Sequence, residues 1–269
     1  MHEYLQKSYN YIFLFQTKQL MDKFLLDNGQ FTNYGLEHSV CFITTLIFIA
    51  YVLYMGRNRW SPTNKHLYIT LICAFGAITQ LFKVIYKYQS GIFDVGNDVP
   101  LHLCNLMTLL MPFIMWYQWR VAWGITFFWI MAGCAQSIFT PTLTESLPHY
   151  EAIRYWAVHG VIILGALYGA FVFQWQISWK DAVRSAIGLN LLALIIYPIN
   201  LALGSNYMYL NGKPPGKTFY DLIGPWPDYI IVLEIVVWAL FTLMLIPFYW
   251  HKIKPKLKFV FALLPTSER

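Results

Sequence analysis

The sequence predicts an all-α polytopic membrane helix bundle of about seven transmembrane helices. Three observations carry this. The chain is 58% hydrophobic. Only 12% of its 269 residues are charged, where soluble domains carry about 25%. The charges are gathered in short stretches between apolar runs long enough to cross a hydrocarbon core about 30 Å thick. The runs are continuous rather than alternating, so helices are expected and not a barrel, because a helix satisfies its own backbone in lipid.

The spans follow in order. The first runs from about Leu36 to Met55, the second from Leu67 to Tyr86 and the third from Val99 to Trp116. The fourth runs from Val121 to Phe139, the fifth from Ala152 to Phe173, the sixth from Ala182 to Leu203 and the seventh from Tyr229 to Trp250. These make a transmembrane domain over residues 31–250. Residues 1–30 mix an apolar patch, Tyr11 to Phe15, with Lys18, Asp22, Lys23 and Asp27. This reads as an amphipathic or interfacial segment on the membrane surface. The stretch lacks the basic start and small-residue cleavage site of a signal peptide. Residues 251–269 form a basic tail.

Charge gives the orientation. Arg57, Arg59, Lys65, Arg120, Lys180, Arg184 and the tail lysines Lys252, Lys254, Lys256 and Lys258 fall on one side of a seven-span chain. The alternate loops carry Asp94, Asp98, Glu145, Asp221 and Asp228. The positive-inside rule then places the N-terminus outside and the C-terminus in the cytoplasm. The net charge of +6 reads as orientation charge, so no nucleic-acid partner is expected. Aromatic residues, 19% of the chain, gather near the ends of the runs, where amphipathic rings suit the headgroup region.

Polar groups inside a membrane are costly and mark function. Counted from the outer face at about 1.5 Å per residue, they converge at one level. Cys104 is in the opening turns of the third span, beside His102 and Asn105. His159 is in the fifth span at similar depth. His38, Gln80, Lys83, Gln136, Asn206, Tyr207, Asp228 and Glu234 border the same side as substrate-pocket candidates. Each has a structural alternative. A single histidine in a span is often an interhelical hydrogen-bond partner, Asn190 and Asn200 suit helix–helix contacts, and Lys83 suits snorkelling.

The four cysteines, Cys41, Cys73, Cys104 and Cys134, have no metal-ligand spacing and do not form a secreted disulfide pattern. No metal or cofactor motif is present, and no cofactor is expected. Cys104 differs from the others by opening a helix, where the dipole and free amides favour an anion. Pro100 stands near that helix start. A Cys104–His159 pair would support acyl transfer through a thioester, with His102 or Asn105 orienting or holding the oxyanion. Sequence alone does not say that the third and fifth helices touch.

Several motifs resemble the YwaF-type bacterial integral membrane family. They are Pro100-Leu101-His102-Leu103-Cys104, His159-Gly160, Asn206-Tyr207-Met208-Tyr209-Leu210, and Leu222-Ile223-Gly224-Pro225-Trp226-Pro227-Asp228-Tyr229-Ile230 leading to Glu234. The segment from Phe31 to His38 is also similar, and the resemblance covers roughly residues 31–250. That family is similar to an animal transmembrane acyltransferase that moves a polyunsaturated acyl chain between phospholipids. The resemblance implies an essential cysteine at Cys104. A more distant resemblance, to animal membrane hydrolases of fatty-acid esters of hydroxy fatty acids, implies a histidine partner, for which His159 is the candidate. The expected function is a membrane lipid acyltransferase of the bacterial cytoplasmic membrane, acting on membrane lipids in phospholipid remodelling. A lipid-ester hydrolase is the first alternative. A small-molecule transporter or binding protein using the same polar cluster is the second, although the inner half-spans offer few polar groups to line a path.

Overall fold

In the computed structural model the described residues are 24–25, 29–214 and 219–263, with side chains described from 221 to 249 in the last stretch. The 1–30 segment read as interfacial lies almost wholly outside them. Among the described residues there are seven α-helices. These are α1 Leu36–Asn58, α2 Pro62–Gln89, α3 Leu103–Trp116, α4 Arg120–Trp129, α5 Tyr150–Phe171, α6 Trp179–Leu203 and α7 Asp228–Leu263. A π-helical turn, Ile130–Cys134, and a 3-10 turn, Ala135–Ile138, continue α4. Successive helices alternate in direction. Arg57, Arg59, Lys65, Arg120, Lys180 and Arg184 therefore share one end of the bundle, here the basic end. The segments 90–102, 139–149 and 204–227 share the other, the polar end.

Six of these helical runs are long and apolar enough to cross a membrane, and the chain is a multi-pass membrane protein. The exception is α3. The expected third span from Val99 to Trp116 begins as helix only at Leu103, leaving 14 residues. At 1.5 Å per residue these cover about 21 Å, short of the hydrocarbon thickness. Pro100 restricts the residue before it, and His102 is in an extended conformation as the N-cap. Pro100 therefore lies three residues before the first helical position rather than at it. At the other end of the chain, α7 continues as helix beyond 250, where the tail was expected to begin. Lysine is a good helix former, so the change from apolar to basic composition does not end the helix.

Local signals set several boundaries. Ser61 caps α2 by accepting from the Asn64 amide at 3.3 Å, with Pro62 at the first helical position. Ser178 and Asp181 form a reciprocal capping box at the start of α6, and Gly204, at φ 62°, ends that helix in the left-handed conformation. Asn200 does not join α6 to another helix, as its sequence position had indicated. Its amide binds the Tyr207 carbonyl and Asn211, and its oxygen accepts from Ser205 and the Tyr207 amide. It thereby fixes the loop that follows. Asn190 does bridge helices, donating to Glu234 of α7 at 3.0 Å.

The centre of the bundle is α5, which packs against α1, α2, α3 and α4. It is the least apolar of the six long helical runs, yet 83% of its apolar window is buried, against 17% for α7. The inversion is physical: α5 is solvated by protein and α7 faces lipid. Close approach depends on small residues. A side chain at Gly165 would meet Met111 of α3, and one at Gly169 would meet the Trp123 ring of α4. The indole of Trp123 donates to the Ala166 carbonyl across the same contact at 3.1 Å. On the other side of α4, the Trp129 indole donates to the Ser185 carbonyl and the Ser185 hydroxyl to that of Ile125, both at 2.9 Å, which ties α6 on.

Candidate functional site

The start of α3 is held from outside the helix. The Tyr207 hydroxyl accepts from the Val99 amide at 3.1 Å and donates to the Val95 carbonyl at 2.6 Å, pinning the loop before it. The His102 ring packs edge-on to Tyr207 and tilted against Tyr209, and its Nδ1 accepts from the Met208 amide at 3.4 Å. Burial pushes the His102 pKa below its usual value, the charge of Lys83 acts in the same direction, and nearby Cys104 opposes both. The ring is therefore neutral at pH 7. Cys104 is the second residue of α3. No side chain caps this helix, and the first backbone bond of the turn runs from the Leu106 amide to the His102 carbonyl. The opening amides thus point outward with the positive end of the helix dipole, around half-buried Cys104.

His159 approaches from α5. Its Nδ1 lies 2.8 Å from the Tyr155 carbonyl. A carbonyl only accepts, so Nδ1 carries a proton and Nε2 is the nitrogen this contact leaves free. The Tyr155 ring lies against the imidazole with centroids 4.2 Å apart, and its hydroxyl donates to the Ser137 carbonyl at 2.9 Å. Ser137 belongs to the 3-10 turn that follows the π turn. A π turn widens the helix by one residue, and here it ends at the fully buried Cys134. The Cys104 side chain neighbours those of Cys134 and His159. Helices α3 and α5 pack directly on each other, which brings thiol and imidazole together.

Beside this group, α2 and α5 carry an ion network. Arg154 binds one oxygen of Glu151 through Nε at 2.9 Å and Nη2 at 2.7 Å. Its Nη1 donates to Gln80 Oε1 at 2.6 Å. Lys87 binds Asp98 at 2.7 Å. Lys83 stands between the two carboxylates, 3.4 Å from Asp98 and 3.5 Å from Glu151. Burial alone would raise the Asp98 pKa, but the Lys87 hydrogen bond, the Asp94 amide and Lys83 hold it below its usual value. Among the described residues no group of three or more His, Cys, Asp or Glu is placed to hold a metal ion.

A family model described as the TMEM164 family matches residues 33–245, which include every residue of this site. The chain belongs to the TMEM164 family. This agrees with the YwaF-type resemblance carried by the third-span, fifth-span and 206–234 motifs. No curated protein and no solved structure matches the chain.

Within this TMEM164-family fold the residues singled out from sequence separate into two groups. Cys104, His159 and His102 share one site, and Gln80 and Lys83 stand beside it. Asn105 shares the opening turn of α3. The others do different things. His38 accepts from the Tyr34 amide at 2.8 Å and donates to the Ile138 carbonyl at 3.0 Å, which clips the start of α1 to the end of the α4 run. Gln136 is exposed on the outer face of the 3-10 turn. Asn206 closes its own loop through Gly212 and Asn211. Tyr207 supports the α3 start, Asp228 is exposed at the start of α7, and Glu234 accepts from Asn190. Lys83 does not snorkel to solvent but enters the ion network.

Sequence reasoning missed Cys134, Glu151 and Arg154. The neighbour of Cys134 is tertiary, so the chain around it carries no signal. Glu151 and Arg154 left a visible signal, an acid and a base three residues apart at the head of an apolar run.

Proposed function

We propose that this TMEM164-family protein is a membrane lipid acyltransferase, with Cys104 as nucleophile and His159 as its base. The reading is supported by half-buried Cys104 at the uncapped start of α3, by the packing of α3 on the helix that carries His159, and by the Tyr155 contact that leaves His159 Nε2 free. Family membership supports lipid-related chemistry in the membrane.

His159 Nε2 takes the Cys104 proton. The sulfur attacks the carbonyl carbon of a lipid ester, forming a C–S bond, and the oxyanion lies at the free amides of the α3 start. The C–O bond then breaks, and the leaving alkoxide takes the proton back from His159. In the second half an acceptor hydroxyl gives its proton to His159 and attacks the thioester, releasing the Cys104 thiol. With water as acceptor the same site is a lipid-ester hydrolase. Cys134 is placed to donate its S–H toward the Cys104 sulfur, and His102 lines the same opening as a neutral ring. The basic end of the bundle reads as cytoplasmic, so the site serves the outer leaflet.

The test is acyl transfer by purified protein in lipid bilayers containing an acyl-labelled phospholipid. Wild type is expected to acquire hydroxylamine-sensitive label, and Cys104→Ala to lose both label and transfer while still inserting. Cys73→Ala, remote in the apolar core, should transfer normally. Wild-type transfer by Cys104→Ala on the same lipid would overturn the thioester reading.

A further inference from the structure

The ion network contains a surplus cation beside an unsatisfied donor. Arg154 occupies Glu151 with two hydrogen bonds, and Lys87 occupies Asp98 at 2.7 Å. Lys83 is left with contacts of 3.4 Å and 3.5 Å to those same two carboxylates. These exceed hydrogen-bonding length for an ammonium, so three cations share two carboxylates and Lys83 holds neither closely. Its side chain is 14% exposed.

One helical turn away on the same helix, Gln80 is fully buried, and its Nε2 has no hydrogen-bond partner. The amide orientation is fixed, because Oε1 accepts from Arg154 at 2.6 Å and a flipped amide would turn its N–H groups on the guanidinium. A buried amide donor without an acceptor is costly, and an incoming acceptor removes that cost. A loosely paired ammonium, an unpaired amide donor and a guanidinium within one cluster share a single chemical preference, an anion with several acceptor oxygens.

We propose that Lys83, Gln80 and Arg154 form a subsite for the phosphate of a phospholipid headgroup. The charge of Lys83 reaches the His102 ring, which in turn neighbours Cys104. A phosphate held there keeps the glycerol esters, a few bonds away, at the polar end that also holds the thiol. The choice of a lipid ligand rests on the acyltransferase reading, but binding is measurable without turnover. The tests therefore use the Cys104→Ala background, so loss of binding and loss of catalysis are read separately.

Lipid retention is measured by native mass spectrometry of the protein released from nanodiscs, with phosphatidylglycerol and diacylglycerol of the same acyl chains in competition. The Cys104→Ala protein is expected to prefer the phospholipid by tenfold or more, about the weight of one charge-assisted hydrogen bond. Adding Lys83→Met should erase that preference. Gln80→Glu should do the same while keeping the acceptor for Arg154, so it serves as the variant that preserves the network, with unchanged thermal unfolding as its control. Equal phospholipid preference with and without Lys83→Met would overturn the proposal. Binding of inorganic phosphate with no preference for the phospholipid over diacylglycerol would also overturn it, by making the site one for free phosphate.

Discussion

Replacing His159 by asparagine separates what the ring does for the fold from what it does for the thiol. An asparagine amide nitrogen stands near the position of Nδ1, so the hydrogen bond to the Tyr155 carbonyl, 2.8 Å in the structure, survives. Nothing replaces Nε2. The stability cost is then limited to the missing part of the ring. The site is nearly closed, at 7% exposure, and a void of about 40 Å³ costs about 1 kcal/mol. The loss of a general base costs about 10²–10⁴ in rate, or roughly 3–5 kcal/mol of barrier. The variant should therefore unfold within a few degrees of wild type in detergent, yet acylate Cys104 at least a hundredfold more slowly in single-turnover labelling. His159→Ala, which also frees the Tyr155 ring from its stacking partner, should lose more stability for a similar loss of rate. If His159→Asn forms the thioester within threefold of the wild-type rate, the imidazole is an interhelical spacer and the Cys104 proton goes elsewhere.

Three further outcomes follow. Arg154→Met removes three hydrogen bonds to Glu151 and Gln80 and leaves Glu151 with only the longer Lys83 contact among the described pairs; a loss of about 3 kcal/mol is expected in chemical unfolding, while Arg184→Met at the exposed end of α6 should change little. Acid should destabilise the protein in two windows, read as unfolding temperature against pH. The folded His102 has a pKa below its ordinary 6.5, so the unfolded chain protonates first and the contribution, whole above that pH, is lost as pH falls below it; Asp98, held below its ordinary 3.8, adds stability that goes only as pH falls below about that value, and His102→Gln should abolish the upper window alone. Reporter fusions should report the end bearing Arg57 and Arg184 on the cytoplasmic side and the 90–102 segment outside; the reverse would move the site to the cytoplasmic leaflet.

Hydropathy made most of the fold legible because lipid imposes a length and a composition on each helix. The bounds of α1 and α6 fall within a few residues of the apolar runs. Where the expectation departed from the structure, a residue-level cause is visible. The third helix starts late because residues 99–102 are held out of the helix by Tyr207 and by the Met208 amide on His102, contacts made more than a hundred residues away in the chain. The fourth run was expected as one helix, and hydropathy is blind to the π turn at Ile130–Cys134, since widening a helix by one residue leaves its composition unchanged. The dominance of α5 was also hidden, because a helix buried in protein needs less apolar surface than one facing lipid, and composition alone ranks it last.

The site was legible in depth but not in partnership. Counting residues from the loops put Cys104 and His159 at one level. Depth cannot tell a side chain facing a neighbouring helix from one at the same height facing lipid or a loop, which is why Gln136 and Asn206 were grouped with them. What separates them is rotation about each helix axis, and that is set by contacts such as Gly76 on Val161 and Thr108, and Gly165 on Met111. Those contacts turn α3 and α5 so that residues on facing sides, Cys104 and His159, meet one to two turns nearer the polar end. The same rotation turns Gln80 and Arg154 toward each other from α2 and α5. The thiol site and the ion network are therefore two consequences of one packing arrangement. A substitution that rotates α5, such as Gly165→Val, should disturb the packing of both together, whereas Lys83→Met should leave the helix packing of both in place.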